Sequence, residues 1–80
     1  MIVLLWLMGR VYRRRIMREL RQRNVPVSRV VIFVPRQSLH CDVYLPGGPI
    51  CDEYFEAEGA AVRGLPGWAW PFTNVHREVL

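Results

Sequence analysis

The chain has 80 residues, of which 51% are hydrophobic, and this composition excludes simple intrinsic disorder. Two cysteines are too few for a disulfide-dense secreted scaffold, and no apolar run approaches the roughly 18 residues of a standard membrane-spanning helix. The net charge of +4 divides into +8 over residues 1–40 and −4 over residues 41–80, so the front half indicates an anionic partner, while the rear half argues against a chain lying wholly along nucleic acid.

The first predicted element is a long N-terminal helix over about residues 2–23. Residues 1–8 are uniformly apolar and the arginine-rich segment 10–24 follows directly, which reverses the layout of a signal peptide, so we expect an uncleaved N-terminus. Because Val25 precedes Pro26, it avoids the helical conformation, and the helix is expected to end there. One apolar stripe follows the helical period: Ile2, Leu5, Tyr12, Ile16 and Leu20.

Shorter elements are predicted behind this helix. Residues 27–34 are dense in β-branched side chains and indicate a strand, and residues 42–45 could form a second, short strand. Residues 52–63 are predicted to form a short helix, because acidic side chains stand at its start and a glycine follows its end. Residues 64–72 are expected to be extended and irregular, and residues 73–80 are too short to assign.

These patterns predict a mostly irregular chain with α elements. It would contain one long amphipathic helix, a short strand or extended segment, a short second helix and an extended C-terminal half rich in proline and glycine. At this length a single core leaves only a few kcal/mol of net stability. We therefore expect a helical segment over 1–24, an extended interaction segment over 25–80, and no independently folded compact domain. Neighbouring proteins would hold such a chain in place.

No arrangement of side chains predicts catalysis, a metal site or a cofactor. His40 is adjacent to Cys41, and nine residues separate Cys41 from Cys51, whereas zinc ligands are usually paired at shorter spacings. The two cysteines could instead form a disulfide across the intervening turn, and the alternative is two buried free thiols. The chain is therefore predicted to be neither an enzyme nor a metalloprotein.

The arginine cluster of the first helix has three interpretations. It could contact RNA phosphates, it could meet anionic lipid headgroups, or it could form a solvated face paired with acids, including those of the rear half. The eight apolar residues ahead of it favour the membrane, because such a run serves no purpose in an RNA groove. The residues predicted to meet anionic lipid, an acidic partner or RNA are Arg10, Arg13, Arg14, Arg15, Arg18 and Arg21.

A second apolar feature is the aromatic segment 67–72, with the sequence Gly-Trp-Ala-Trp-Pro-Phe. Two tryptophans and a phenylalanine so close together suit a lipid interface or a protein groove, and the alternative is that they fill the chain's own small core. Together with the first helix, this segment completes the predicted membrane or partner anchor: Ile2, Leu5, Trp6, Tyr12, Ile16, Leu20, Trp68, Trp70 and Phe72.

We therefore expect a small non-catalytic accessory subunit of a large organellar inner-membrane complex, of the respiratory or ATP-synthase type, that supports assembly and stability. It would be peripheral to, or partially inserted in, the mitochondrial inner membrane, in contact with lipid and with larger protein subunits. The alternative is a small organellar ribosomal protein whose arginine helix contacts rRNA. A third alternative is a free-standing regulatory microprotein that binds a membrane enzyme.

Overall fold

The apolar stripe of the N-terminal segment forms one long helix, α1 (Ile2–Gln22), in the computed structural model. The structure describes residues 2–80, and at residue 2 it describes the backbone alone. The fully buried large side chains of α1 recur at the helical period: Leu5, Tyr12, Ile16 and Leu20. The helix ends where Asn24 takes a left-handed conformation, with φ of 55°, and the Val25 amide donates to the carbonyl of Leu20 at 2.9 Å.

An antiparallel hairpin follows the helix. β1 (Arg29–Phe33) pairs with β2 (Leu39–Leu45), and the loop between them turns through two left-handed residues, Arg36 and Gln37. Burial alternates along β2, because every second side chain of a strand points to the same face. One face of β2 is therefore part of the core, and the other face is half-buried.

A helical crossover then leads to the third strand. α2 (Asp52–Arg63) is followed by a 3₁₀ helix (Gly67–Phe72) and by β3 (Thr73–Val79), which pairs parallel to β2. A parallel pair requires a crossover of this kind, because a tight hairpin can join only antiparallel strands. The strand order is β1-β2-β3, so β1 and β3 are the two edges of the sheet.

α1 covers one face of the sheet, and α2 packs against α1 on the same side. α1 contacts β1, β2 and α2, and it approaches the sheet closely at Gly9. A Cβ at Gly9 would lie 2.6 Å from Ile32 Cγ2 and 3.0 Å from Leu39 Cδ1, so a side chain there would push the helix off the sheet. α2 turns the small buried residues Ala57 and Ala61 toward the core. Within residues 2–80 no helix covers the opposite face, which displays these side chains of β2: His40, Asp42 and Tyr44.

The prediction of a mostly irregular, non-compact chain is wrong. The radius of gyration is 12.1 Å, close to the roughly 12 Å expected of a folded chain of this length. The accessible surface is 5076 Å², close to the roughly 5,000 Å² of a folded protein of this mass. Five of the six prolines lie outside the helices and strands, so they end elements rather than break them. The chain therefore packs a core of its own.

Three segments differ in detail from their predictions. Residues 64–72, expected to be extended and irregular, contain the 3₁₀ helix, because Ala69 is drawn into the core. The strand predicted over 42–45 begins earlier, at Leu39. The unassigned segment 73–80 contains β3, whose pairing with β2 joins residues more than thirty positions apart in the chain.

Candidate functional site

The outer face of α1 begins with four exposed apolar side chains. Opposite the buried stripe, the helical period passes through Val3, Leu4 and Leu7, which are 71, 48 and 49% exposed. Trp6 lies beside them and is 50% exposed. We call these four residues the apolar tip. Large contiguous patches of exposed apolar surface commonly mark interaction sites, so the apolar tip is a candidate docking surface.

The same outer face continues as a row of arginines. We define the arginine ridge as four exposed residues: Arg10, Arg14, Arg18 and Arg21. Arg18 Nη2 lies 3.9 Å from Glu19 Oε1, and among residues 2–80 no carboxylate lies within 4.0 Å of the other three. Just beyond the helix, Arg23 reaches one acid of the rear half, Glu56, at 4.0 Å. The charges of Arg10, Arg14 and Arg21 are therefore not neutralised by any carboxylate of the described residues.

Two of the six arginines predicted to meet a partner make contacts with other parts of this chain. Arg13 Nε donates to the carbonyl of Val30 at 3.1 Å. Arg15 is half-buried, and its guanidinium packs on Gly64 at the C-terminal end of α2, where the helix dipole favours a cation. Its Nε has no hydrogen-bond partner within the described chain. These two side chains therefore help to fix α1 against β1 and α2.

Four of the predicted anchor residues lie in the core. They are the fully buried side chains of the α1 stripe: Leu5, Tyr12, Ile16 and Leu20. The side chain of Ile2, which the same prediction included, lies outside the described part of the structure. The exposed surface of α1 therefore includes the apolar tip and the arginine ridge, on the side of the helix that faces away from the sheet.

The aromatic segment stands on the surface of the 3₁₀ helix. Trp68, Trp70 and Phe72 are 41, 44 and 38% exposed, whereas Ala69 between them is buried. The indole Nε1 of Trp70 donates to the carbonyl of Leu65 at 3.0 Å, which orients that ring. The three rings thus present apolar surface to solvent, and the buried Ala69 fixes their segment to the core.

The apolar tip and the aromatic segment lie at the same end of the sheet. α1 runs antiparallel to β1, so its N-terminus extends beyond the Phe33 end of that strand. Phe33 is opposite His40 near the start of β2, and β3 starts level with β2 at Thr73, directly after the aromatic segment. One end of the molecule therefore collects the exposed apolar side chains of both segments.

A polar cluster lies between the two helices and β3. Arg77 donates to both carboxylate oxygens of Glu58, at 2.6 and 2.9 Å, and its guanidinium lies 5.9 Å from the centre of the Tyr54 ring. Burial raises the pKa of Tyr12 and of Tyr54, and it raises the pKa of Cys41 to about 12. All three groups stay protonated at neutral pH. The sequence did not predict the Glu58–Arg77 pair, because the C-terminal strand shows no periodic pattern.

Both cysteines are free thiols. Cys41 is buried in β2 and Cys51 is exposed just before α2. On the open face of the sheet, His40 Nε2 lies 3.4 Å from Asp42 Oδ1, and the register sets His76 opposite Asp42. In the part of the chain that the structure describes, no three His, Cys, Asp or Glu side chains are arranged to hold a metal ion.

α1 is the longest helix, with 21 residues, but arginines occupy much of its second half. Among residues 2–80, no helix is both long enough and apolar enough to cross a bilayer. Comparisons with protein families, with curated proteins and with solved structures find no match for this chain.

Proposed function

We propose that this protein is a small non-catalytic accessory domain that docks on an anionic membrane surface beside larger protein subunits. The observation that supports the proposal most is the outer face of α1, where the arginine ridge follows the apolar tip directly. This order matches an interfacial helix, which buries its apolar side chains at the acyl boundary and pairs its cations with lipid phosphates.

The apolar tip would supply the part of the binding that salt does not screen. Full burial of a leucine-sized side chain contributes about 1.5–3 kcal/mol, so the half-exposed Leu4 and Leu7 contribute on the order of 1 kcal/mol each. Trp6 suits the boundary between headgroups and acyl chains, because its ring is apolar and its N–H is polar. The aromatic segment at the same end of the molecule would enlarge the contact.

The arginine ridge would supply the preference for anionic lipid. Each arginine close to an anionic surface contributes about 1 kcal/mol, and this contribution falls off within a Debye length. Because no internal carboxylate neutralises Arg10, Arg14 or Arg21 in the described chain, their charge remains available to phosphates. The outer face of α1 thus combines an apolar and an electrostatic contribution.

The setting that we propose is an organellar inner membrane, where the domain would support the assembly and stability of a complex of the respiratory or ATP-synthase type. The basic helix with an apolar tip supports a peripheral or partially inserted position at the mitochondrial inner membrane, which is the location that we propose. Larger subunits of the complex would contact the surfaces that α1 leaves free. In this setting the domain would fold around its own core and would bind neighbouring subunits without catalysing a reaction.

RNA binding is a second candidate function, and one observation favours it. A shallow groove of about 330 Å³ crosses the outer face of α1, and its guanidinium groups could fork onto a phosphate backbone. The residues that line it are Arg13, Arg14, Met17, Arg18 and Arg21. This candidate leaves the apolar tip unexplained, so we rank it second.

Co-sedimentation with lipid vesicles tests the proposal. We expect the chain to bind vesicles that contain about one third phosphatidylserine, to bind pure phosphatidylcholine more weakly, and to stay partly bound when NaCl rises from about 0.1 M to 0.5 M. Detergent should release it. Absence of binding to anionic vesicles, together with binding to a uridine-rich RNA that is lost steeply as salt rises, would favour the second candidate and contradict the first.

A further inference from the structure

A groove runs along the free edge of β1. Its volume is about 400 Å³, and it lies between the flank of α1 and the edge of the strand. The groove is lined by Trp6, Gly9, Arg10 and Arg13 of α1 and by residues 29–32 of β1. Because β1 has a neighbouring strand on one side only, the backbone on its other side is open to a further partner.

The carbonyl of Val30 shows which backbone groups face the groove, because it accepts the hydrogen bond from Arg13 Nε. In an antiparallel strand the N–H and C=O of one residue point to the same side, and the groups two residues further along point the same way. The free edge of β1 therefore presents the backbone groups of Val30 and Ile32. Alternating donors and acceptors of this kind pair with another extended chain.

The groove is positively charged. Arg10, Arg13 and Arg29 line it, and none of the described residues that line it is acidic. Within residues 2–80 none of these three arginines forms a salt bridge. The guanidinium carbon of Arg29 lies 4.6 Å from the ring centre of Tyr44, on the open face of the sheet, so the positive charges on the α1 side of the groove are those of Arg10 and Arg13. An extended partner that fits this groove therefore bears acidic side chains.

Two other occupants fit less well. A second copy of this chain, paired edge to edge through β1, would bring Arg10, Arg13 and Arg29 of both copies together, and like charges across paired strands are destabilising. A nucleic acid would place phosphate oxygens against the Val30 carbonyl, and two acceptors repel each other. An acidic peptide avoids both conflicts, because its N–H groups meet the carbonyl and its carboxylates meet the arginines.

We propose that this groove binds an extended acidic segment of a partner protein, which adds to the sheet as a fourth strand beside β1. The five residues of β1 span about 17 Å, so a segment of about five or six residues fills the edge. A peptide N–H replaces Arg13 at the Val30 carbonyl, and the freed guanidinium then pairs with a peptide carboxylate. Trp6 and Arg10 belong both to this groove and to the surface that we propose to meet the membrane, but the groove can be tested by itself, without lipid.

Titration with a defined peptide tests the groove. The probe is the acetylated, amidated hexapeptide Glu-Val-Glu-Val-Glu-Val, added to the isotope-labelled full chain while amide NMR signals are followed. We expect saturable shifts centred on the Val30 and Ile32 amides. A Lys-Val-Lys-Val-Lys-Val peptide should not bind, because its charge is wrong. The acidic peptide methylated at its backbone nitrogens should not bind either, because it cannot donate to the strand.

A matched pair of variants separates the groove from the general charge of α1. Arg10→Glu removes a groove arginine, whereas Arg21→Glu makes the same charge change at an exposed position outside the groove. We expect Arg10→Glu to weaken the acidic peptide at least about tenfold and Arg21→Glu to change the Kd by less than about threefold. Equal weakening by both variants, binding of the methylated peptide, or shifts that avoid β1 would each overturn the proposal.

Discussion

Raising the pH from about 8 to about 10.5 is expected to lower the free energy of unfolding by about 2 kcal/mol through Cys41 alone. The pKa of this thiol is raised from 9.0 to about 12 by burial. Between these two pKa values the folded chain keeps a thiol proton that the unfolded chain loses. The contribution of Cys41 to the free energy of unfolding is therefore fully present below pH 9 and is lost as the pH rises toward 12. The raised pKa values of Tyr12 and Tyr54 act in the same direction at higher pH.

Urea denaturation at several pH values, followed by circular dichroism, measures this loss. Cys41→Ala should be less stable than the parent at pH 8, because it leaves a small cavity, but it should lose about 2 kcal/mol less on alkalisation. Cys51→Ala is the matched control, since Cys51 is exposed, and it should follow the parent at every pH. If Cys41→Ala and the parent lost the same free energy, the burial of the Cys41 thiol would be refuted.

Replacing both Leu4 and Leu7 by serine is expected to weaken binding to anionic vesicles at least about thirtyfold. Each side chain contributes on the order of 1 kcal/mol when it enters the acyl boundary, and a hydroxymethyl group contributes none of this. Both side chains are about half exposed in the free chain, so we expect the free energy of unfolding to fall by no more than about 2 kcal/mol. Vesicle co-sedimentation and urea denaturation of the same preparation give the two numbers.

Leu80→Ser is the matched control for that double variant. Leu80 is 66% exposed and lies at the opposite end of the sheet, where its amide donates to the carbonyl of Leu45. We expect this variant to bind vesicles as the parent does. A similar loss from Leu80→Ser would mean that exposed leucines act regardless of position, and the apolar tip would not be a specific anchor.

The helices could be predicted because their signals are local. The bounds of α2 agree with the predicted 52–63. The signals for this helix, acidic side chains in its first turn and a glycine directly after its end, all lie within one short segment of the sequence. The stripe of α1 was likewise recognised from its period. Its role was harder to predict, because the first two turns are apolar all round. Leu5 packs in the core and Leu4 faces solvent, and only the position of the sheet decides between them.

The sheet was predicted poorly for a different reason. Residues 39–45 alternate apolar and polar side chains, which is the pattern of a half-buried strand, and this signal was available in the sequence. β3 has no comparable signal, because Thr73–Val79 is mostly polar and becomes a strand through its pairing with β2. Arg77 therefore reaches Glu58 through a tertiary arrangement that no local pattern indicates.

The depth of Trp6 in a bilayer tests the central claim most directly. In a variant with Trp68→Phe and Trp70→Phe, Trp6 is the single tryptophan of the chain, so its emission reports the apolar tip alone. On anionic vesicles we expect the emission to shift to shorter wavelength and to be quenched by lipids brominated near the start of their acyl chains. Emission that stays at the position of water-exposed tryptophan while the chain is bound to the vesicles would contradict insertion of the apolar tip.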